Sequence, residues 1–301
     1  METFLALFTY FAHLFLIHVY IVRLAKYLKM PVHLRWELYP VIHEEKYPSA
    51  SSYLEEKDWW LKKRKKKYLR GFFFLLKDYF ILSDYAKGKF LYWLGLYPWH
   101  MGFILTMFFE FLCFISGLYI IRGGQVSDSS PSIVGTFLYH MTLIIGVLSF
   151  LTGMVGSVLI FLNRVFDKSL REYAVLLHYI TYGVTFLLFF TGFYSWFFTD
   201  PKLEEYRLFW AGLLSFDFSR VGLWTAIHIM VYDLFLLYLP YTRWLHYITR
   251  FFAFFFIRWD DEPNIPGSSL ERKVARLLEK KVTWSAPHID KGKSWVDLAR
   301  V

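Results

Sequence analysis

Cysteine is almost absent from this chain. The single cysteine, Cys113, falls in the middle of a long apolar stretch. One cysteine cannot form an intrachain disulfide, a Cys-x-x-Cys-His haem attachment or the cysteine set of an iron–sulfur cluster. Any redox centre that the chain binds must therefore be held by other side chains.

Long polar segments of the kind that cover a soluble domain are also scarce. Apolar residues make up 56% of the 301 residues and aromatic residues 22%, and the mean hydropathy is positive. These values lie outside the range of ordinary soluble domains of this size. The composition therefore predicts a protein whose natural solvent is lipid.

Five stretches have the length of about 20 apolar residues that crosses a bilayer. They are residues 3–22, 99–121, 132–162, 173–199 and 221–245. The sequence therefore predicts an all-α integral membrane protein with five transmembrane helices in a bundle. The first stretch lacks the basic flank and the cleavage site of a signal peptide, so it is predicted to remain in the protein.

Basic residues are rare in two of the four connecting loops. Residues 23–97, residues 163–172 and the tail from Arg243 hold 16, 3 and 11 of the 34 Lys and Arg residues. Cytoplasmic flanks retain such residues, which predicts a multi-pass protein of the cytoplasmic membrane with its N-terminus outside and its C-terminus in the cytoplasm. The net charge of +9 then faces anionic lipid and cytoplasmic partners, and no nucleic-acid partner is expected.

The pattern predicts four parts along the chain. Aromatic residues mixed with isolated charges from Gly71 to Trp99 are typical of helices that lie in the membrane interface. The parts are transmembrane helix 1 in residues 1–22, a cytoplasmic and interfacial segment in 23–97, a four-helix core in 98–246 and a cytoplasmic tail in 247–301.

Histidines are concentrated in the predicted helices, where ionisable side chains are costly and therefore functional candidates. His228 and His246 lie 18 residues apart on predicted helix 5, which is five turns and about 27 Å along one side of the helix. A b-type haem takes two axial imidazoles from facing helices at one depth. Helix 5 is thus predicted to offer one ligand to each of two stacked haems b, or to one haem if the outer pair is incomplete.

Depth in the membrane selects the partner ligands. For the inner haem, His100 at the start of predicted helix 2 lies at the depth of His246, and His178 is the alternative. For the outer haem, His140 in predicted helix 3 lies at the depth of His228, and His13 in predicted helix 1 is the competitor.

Two stacked haems need an electron donor and an electron acceptor, and quinol is the lipid-soluble candidate. Its reaction releases two protons, so Glu110 and Asp233, within predicted helices 2 and 5, are candidates for a proton relay beside a quinone site. Arg243, three residues before His246, is the best candidate to pair with a haem propionate.

Three of these motifs resemble a known family. The segment Trp99–Gly102, His228 and the segment Leu239–His246 are similar to the gamma subunit of respiratory nitrate reductase. The resemblance implies that His100 and His246 hold the inner haem and that a second histidine, ten residues after His100, pairs with His228. That position is Glu110, so the outer pair is either His140 with His228 or is absent.

Two further segments resemble a subgroup of that family. Residues 30–40 and the residues around Trp284–His288 look like the cytochrome b subunits of transmembrane redox complexes in sulfate-reducing anaerobes. The resemblance implies electron transfer between a menaquinone pool and a cytoplasmic iron–sulfur subunit resembling heterodisulfide reductase, with further membrane and periplasmic subunits. Residues 30–45 and 284–297 are the predicted docking surface for the iron–sulfur subunit.

Two other functions are compatible with the pattern. In an ion or proton transporter, Glu110, Asp233 and the histidines would form a path across the membrane. In a haem-free anchor subunit, each buried histidine would only bond a neighbouring helix. Haem absorption by the purified chain separates both from a cytochrome.

Overall fold

A computed structural model of the chain describes residues 2–28, 68–218, 220–242, 246–247 and 266–300. Its longer helices are α1 (Glu2–Leu28), α2 (Tyr68–Ile81), α4 (Phe90–Ile120), α5 (Ile133–Phe166), α7 (Leu176–Tyr194), α8 (Glu204–Ser215), α9 (Leu223–Tyr238) and α10 (Ser269–Leu278). The shorter helices are α3 (Ser83–Gly88), α6 (Lys168–Glu172) and α11 (Trp295–Leu298), and α7 and α9 continue into a π turn (Ser195–Thr199) and a 3-10 turn (Leu239–Tyr241).

The five predicted spans are confirmed. α1, α4, α5, α7 with its π turn and α9 with its 3-10 turn are each long and apolar enough to cross a membrane. The chain is therefore an all-α, multi-pass membrane protein. The segments 121–132 and 200–222 connect spans at the same end of the bundle, since Lys202 Nζ is 3.5 Å from Asp128 Oδ2. We call this the Arg122 end of the bundle.

The predicted start of the second span, at residue 99, is wrong by nine residues, because α4 begins at Phe90 and runs through Pro98. Proline lacks the amide hydrogen that bonds within a helix interior. In membrane helices proline is tolerated when neighbouring helices repack around it. Here α5 lies directly against Pro98 and Trp99 at Gly156.

α4 and α5 cross in very close contact along a seam of small residues. A Cβ on Gly102 would lie 2.4 Å from the Cα of Gly153, and a Cβ on Gly156 would lie 2.1 Å from the backbone nitrogen of Trp99. One turn beyond the Gly102–Gly153 contact, Thr106 and Ser149 share a hydroxyl hydrogen bond of 2.6 Å. Small residues permit such an approach, which drives helix association in lipid.

α1 is attached to this core through polar side chains. Near its start, Glu2 Oε1 is 3.9 Å from Arg220 Nε, so α1 begins at the Arg122 end. The Tyr10 hydroxyl donates a hydrogen bond to the carbonyl of Leu213 in α8. α1 contains no glycine, and its buried small residues are Ala6, Thr9 and Ala12.

α8 was not predicted from the sequence, since it is too short and too polar to be a span. The carboxylate of Asp200 caps its first turn by accepting from the N–H groups of Glu204 and Glu205, at 2.9 and 2.8 Å. Burial raises the pKa of the Asp200 carboxyl, and these two hydrogen bonds oppose the rise. α8 covers the Arg122 end by packing on α4, since a Cβ on Gly117 would lie 2.9 Å from the backbone nitrogen of Ala211.

The chain forms two compact units. The first comprises residues 1–19 and 77–243, and the second residues 20–76 and 244–301. Within the second, Ser268 caps the start of α10, since its hydroxyl accepts from the N–H of Glu271 at 3.0 Å. Trp284 packs against Trp295 with ring centroids 6.4 Å apart. The predicted docking residues 284–297 lie in this unit, whereas residues 30–45 lie outside the described residues.

Candidate functional site

A cavity lies in the first unit between α1, α4, α8 and α9. Its volume is about 50 Å³. This is smaller than typical ligand and cofactor sites of about 300 to 1,000 Å³, which it resembles in having a few polar groups in an apolar lining. The lining residues are Thr9, His13, Thr106, Phe109, Glu110, Cys113, Tyr206, Phe209, Trp210, His228, Ile229, Tyr232 and Asp233.

Asp233 of α9 is fully buried, with 0% of its surface exposed. The Thr9 hydroxyl donates to its Oδ2 at 2.7 Å. Among the described residues, no group hydrogen-bonds its other oxygen, Oδ1. A buried polar atom without a partner is costly, so this oxygen is available to a ligand in the cavity.

His13 and Glu110 form a second polar pair across the cavity wall. His13 Nδ1 is 2.8 Å from the carbonyl of Thr9, one turn earlier in α1, and its Nε2 is 2.8 Å from Glu110 Oε1. A carbonyl oxygen only accepts, so Nδ1 carries a hydrogen. In the neutral ring Nε2 then holds the lone pair and faces α4.

His228 of α9 is buried between aromatic rings, with 5% of its surface exposed. The rings of Phe150 and Tyr206 meet it edge-on at 5.2 and 5.7 Å. Its Nδ1 is 3.0 Å from the hydroxyl oxygen of Thr191 in α7. A Cβ on Gly192 would lie 2.8 Å from its Cε1, so only glycine leaves room for the ring there.

Thr191 sets the tautomer of His228. The threonine hydroxyl has one hydrogen, and the carbonyls of Leu187 and Leu188 in its own helix accept it at 2.9 and 3.0 Å. Its oxygen is then the acceptor for an Nδ1–H of the imidazole. Nε2 keeps the lone pair, which is the arrangement of a metal-binding histidine whose other nitrogen is held by a neighbour.

Arg207 of α8 is buried beside the site and was missed as a candidate. Its Nη1 donates to Thr142 Oγ1 at 2.9 Å and to the carbonyl of Lys202 at 3.0 Å, and its Cζ is 5.3 Å from the centroid of the Tyr139 ring. Burial lowers the pKa of the guanidinium. The sequence signal was an arginine in an otherwise apolar run of α8.

The structure brings four of the predicted site residues to one cavity, namely His13, Glu110, His228 and Asp233. It does not bring His140 to His228, because His140 lies on the exposed side of α5, where its ring packs on Tyr139 at 5.1 Å. Thr9 and Thr191 were missed, although Thr9 lies one helical turn before His13, which places both on one face of α1.

The remaining predicted ligands lie elsewhere. His100 is half-buried in α4. Near the start of α7, His178 Nδ1 accepts from the N–H of Val175 at 3.0 Å, so this ring caps the helix. His246 is exposed in the second unit.

The prediction that one continuous helix carries both His228 and His246 is wrong, because α9 ends at Tyr238, its 3-10 turn ends at Tyr241 and Thr242 is extended. Arg243 lies outside the described residues. The inner pair stays a prediction.

Comparison with known proteins finds no match, whether among protein-family models, curated proteins or solved structures. Within the part of the chain that the structure describes, no group of three or more His, Cys, Asp or Glu residues is arranged to hold a metal ion. A b-type haem needs only two imidazoles from the protein. The individual side chains of this chain are therefore what indicates its function.

Proposed function

We propose that the chain is a membrane cytochrome b subunit that transfers electrons between a menaquinone pool and a cytoplasmic iron–sulfur subunit. The observation that supports it most is the environment of His228. This imidazole is buried in a cavity within a five-helix membrane protein, and Thr191 holds its Nδ1 so that Nε2 is left to bind iron. Bound haem would supply one-electron redox chemistry at that point.

The donor set fits a haem, but the cavity of about 50 Å³ would have to widen to hold one. Two imidazoles and an apolar surround are what a b-type haem takes from a helical bundle, and the rings of Phe150 and Tyr206 meet His228 edge-on. His228 would supply one axial nitrogen of the outer haem. The sequence predicts His140 or His13 for the other, and the resemblance assigns His100 and His246 to the inner haem.

The acidic residues of the cavity fit the proton-transfer half of the quinone reaction. Oxidation of a hydroquinone to a quinone releases two electrons and two protons, and reduction takes up the same number. The electrons would pass one at a time toward the iron–sulfur subunit. Asp233 Oδ1 and the Glu110 carboxyl are the oxygens in the cavity that would accept or return the protons.

One observation favours a second candidate, a proton path without haem. The Thr9–Asp233 and His13–Glu110 contacts of 2.7 and 2.8 Å connect α1 to α9 and to α4 through ionisable groups inside the membrane region. Such groups also mark the proton relays of transporters. A transporter needs no haem, and neither does an anchor subunit, so haem content decides between these functions and the cytochrome.

The test is a dithionite-reduced minus oxidised absorption spectrum of the purified full-length chain, with a pyridine haemochrome count of haem per polypeptide. Two haems b per chain are expected. One haem per chain would mean that only the inner pair binds haem. A chain that holds none after expression in a haem-sufficient host would overturn the cytochrome proposal in favour of the transporter or the anchor.

Inner-ligand variants give a separate expectation. His100→Ala and His246→Ala should each lower the haem count from two to one, because a b-type haem is held only by its axial bonds and its surroundings. Both should abolish reduction of the iron–sulfur partner by menaquinol. His178→Ala is the matched control, since this ring caps α7. A loss of haem in His178→Ala alone would assign the inner site to His178.

A further inference from the structure

We propose that the cavity between α1, α4, α8 and α9 holds a small cluster of water molecules. This water joins the Asp233 carboxyl to the His13–Glu110 pair, so that the three side chains share an exchangeable proton inside the membrane region. The inference goes beyond the proposed function. It requires no haem and applies equally to a cytochrome and to a transporter.

The size of the cavity selects the ligand. A cavity needs at least about 10–15 Å³ to hold one water molecule, and this one has a volume of about 50 Å³. It therefore has room for a few water molecules, whereas organic ligands and cofactors occupy sites of about 300 to 1,000 Å³. Water fits the cavity without any movement of the helices.

Two buried polar atoms of lining residues have no hydrogen-bond partner within the described part of the chain. They are Asp233 Oδ1 and the hydroxyl oxygen of Tyr206, on residues that are 0% and 5% exposed. Internal water is typically found at buried polar groups that the protein leaves unpaired. Water can accept from the hydroxyl and donate to the carboxyl oxygen, whereas a metal cation offers no acceptor for the hydroxyl hydrogen.

Thr9 determines which oxygen of Asp233 exchanges a proton. The Thr9 hydroxyl lies 2.7 Å from Oδ2, and its other acceptor, the Leu5 carbonyl, is farther away at 2.9 Å. An oxygen that accepts from Thr9 stays an acceptor whether the carboxyl is ionised or neutral. The proton of the neutral acid therefore belongs on Oδ1, the oxygen without a protein partner. Oδ1 needs a donor in one state and an acceptor in the other, and water is both.

The contact between His13 and Glu110 depends on a proton as well. His13 Nδ1 carries a hydrogen, because it faces the carbonyl of Thr9 at 2.8 Å. The contact of 2.8 Å between Nε2 and Glu110 Oε1 therefore needs one proton, which lies either on the carboxyl oxygen or on Nε2. A second proton can be added to Glu110 Oε2 while the imidazolium donates to Oε1. The pair thus keeps its hydrogen bond with one proton or with two.

Water in the cavity connects these two sites. A proton that leaves Asp233 Oδ1 protonates a neighbouring water molecule, which gives one of its own protons onward until the last one reaches the Glu110 carboxyl. Each transfer breaks one O–H bond and forms another, so the step needs no oxidant, reductant or metal ion. Both acids line the same cavity, which keeps this path short.

The first test detects the water. Infrared spectra of the full-length chain are compared in films hydrated with ordinary water and with heavy-oxygen water. Internal water should give narrow O–H stretching bands that shift with the oxygen isotope, and Tyr206→Phe should shift or remove one of them. Tyr182→Phe is the matched control, because the Tyr182 hydroxyl accepts from Arg164 at 3.4 Å and is not among the lining residues. No isotope-sensitive band, or bands unchanged in Tyr206→Phe, would mean a dry cavity and overturn the proposal.

The second test detects the proton. Exposed carboxyl groups are ionised at neutral pH, so the carbonyl stretch of protonated carboxyls reports buried ones when the detergent has no carbonyl group. The wild-type chain should show this band, and heavy water should shift it as deuterium replaces the proton. Asp233→Asn should remove part of the band, while Asp128→Asn, at an exposed acid, should keep all of it. A band that resists heavy water, or that Asp233→Asn leaves intact, would contradict an exchangeable proton on Asp233.

A pair of variants at Thr9 covers the case in which Asp233→Asn fails to accumulate. Thr9→Val keeps the shape of the side chain but removes the donor to Oδ2, so the carbonyl stretch of the Asp233 carboxyl should move to higher frequency. Thr9→Ser keeps the hydroxyl and should restore the wild-type frequency. Identical bands in both variants would exclude Asp233 as the protonated acid.

Haem content of the same samples separates this inference from the proposed function. A chain that lacks haem but gives both infrared signals would defeat the cytochrome function and keep the water site. A chain with two haems and neither signal would defeat the water site alone.

Discussion

Replacing His228 by alanine should halve the haem content of the chain and stop its reduction by menaquinol. The side chain is the most deeply buried histidine of the cavity, with 5% of its surface exposed, and it lies where α7 and α9 meet the rings of Phe150 and Tyr206. Alanine provides no nitrogen for iron, and no other described histidine contacts these rings. The inner haem, held by other residues, should remain.

The measurement is a haem count together with a redox titration of the purified variant. The titration should show one component in place of two, and the residual haem should still be reduced by dithionite. Menaquinol analogues should no longer reduce it, since the path from the cavity would be missing. An unchanged haem-to-protein ratio would mean that His228 is a packing residue and that the two-haem proposal is wrong.

Thr191→Val is the matched control for this variant. Valine keeps the shape of the threonine side chain but removes the oxygen that accepts from His228 Nδ1 at 3.0 Å. The haem should be retained with a weaker affinity, about 10- to 100-fold, as is typical when the residue that orients a metal ligand is lost. Equal haem loss in Thr191→Val and His228→Ala would point to a general effect on folding.

Substitution of Gly156 by alanine should destabilise the bundle by roughly 1–3 kcal/mol, the usual effect of overpacking. The added Cβ would lie 2.1 Å from the backbone nitrogen and 2.4 Å from the Cα of Trp99. These are backbone atoms of α4, which cannot move away as the end of a flexible side chain can. α4 and α5 would therefore have to separate next to His100, and the inner haem should be lost with the packing.

Thermal unfolding in detergent measures the effect, with haem release as a second signal. Gly183→Ala is the matched control, because a Cβ at that position in α7 would meet no atom within 4 Å. Since glycine is a poor helix former, Gly183→Ala should leave stability unchanged or raise it slightly. Equal stability of the Gly156→Ala and wild-type chains would show that α4 and α5 pack less closely than the structure indicates.

The spans could be predicted from the sequence because the bilayer imposes both a length and an apolar composition on them. The sites could be predicted only in part, for a geometric reason. Depth fixes the position of a residue along the membrane normal, and by depth His140 matched His228. The direction in which a side chain points depends on the rotation of its helix, and the rotation of α5 leaves His140 exposed.

Contacts between helices that are distant in the sequence could not be predicted either. Nothing in the spacing of Thr9 and Asp233, or of His13 and Glu110, shows that these residues meet at 2.7 and 2.8 Å. The cover formed by α8 was missed as well, because its 12 residues have neither the length nor the composition of a span. Depth and the resemblance both selected His100 and His246 as the inner ligands, and the departure from the resemblance at Glu110 left the second outer ligand open.

α5 packs against α4 through closely fitting small residues, whereas α1 contacts its neighbours with polar side chains. The first contact determines the shape of the bundle, and the second carries polar residues of the cavity. The α4–α5 seam tolerates almost no added atom at Gly102 and Gly156. α1 is joined by Leu5 and Ala6, which belong to the apolar core, and by hydrogen bonds from side chains, and such bonds in membrane proteins average only about 0.6 kcal/mol each. Polar residues of α1 can therefore change while the fold persists. A chain built this way could acquire a new ligand, or a different quinone preference, by substitutions in its first helix alone.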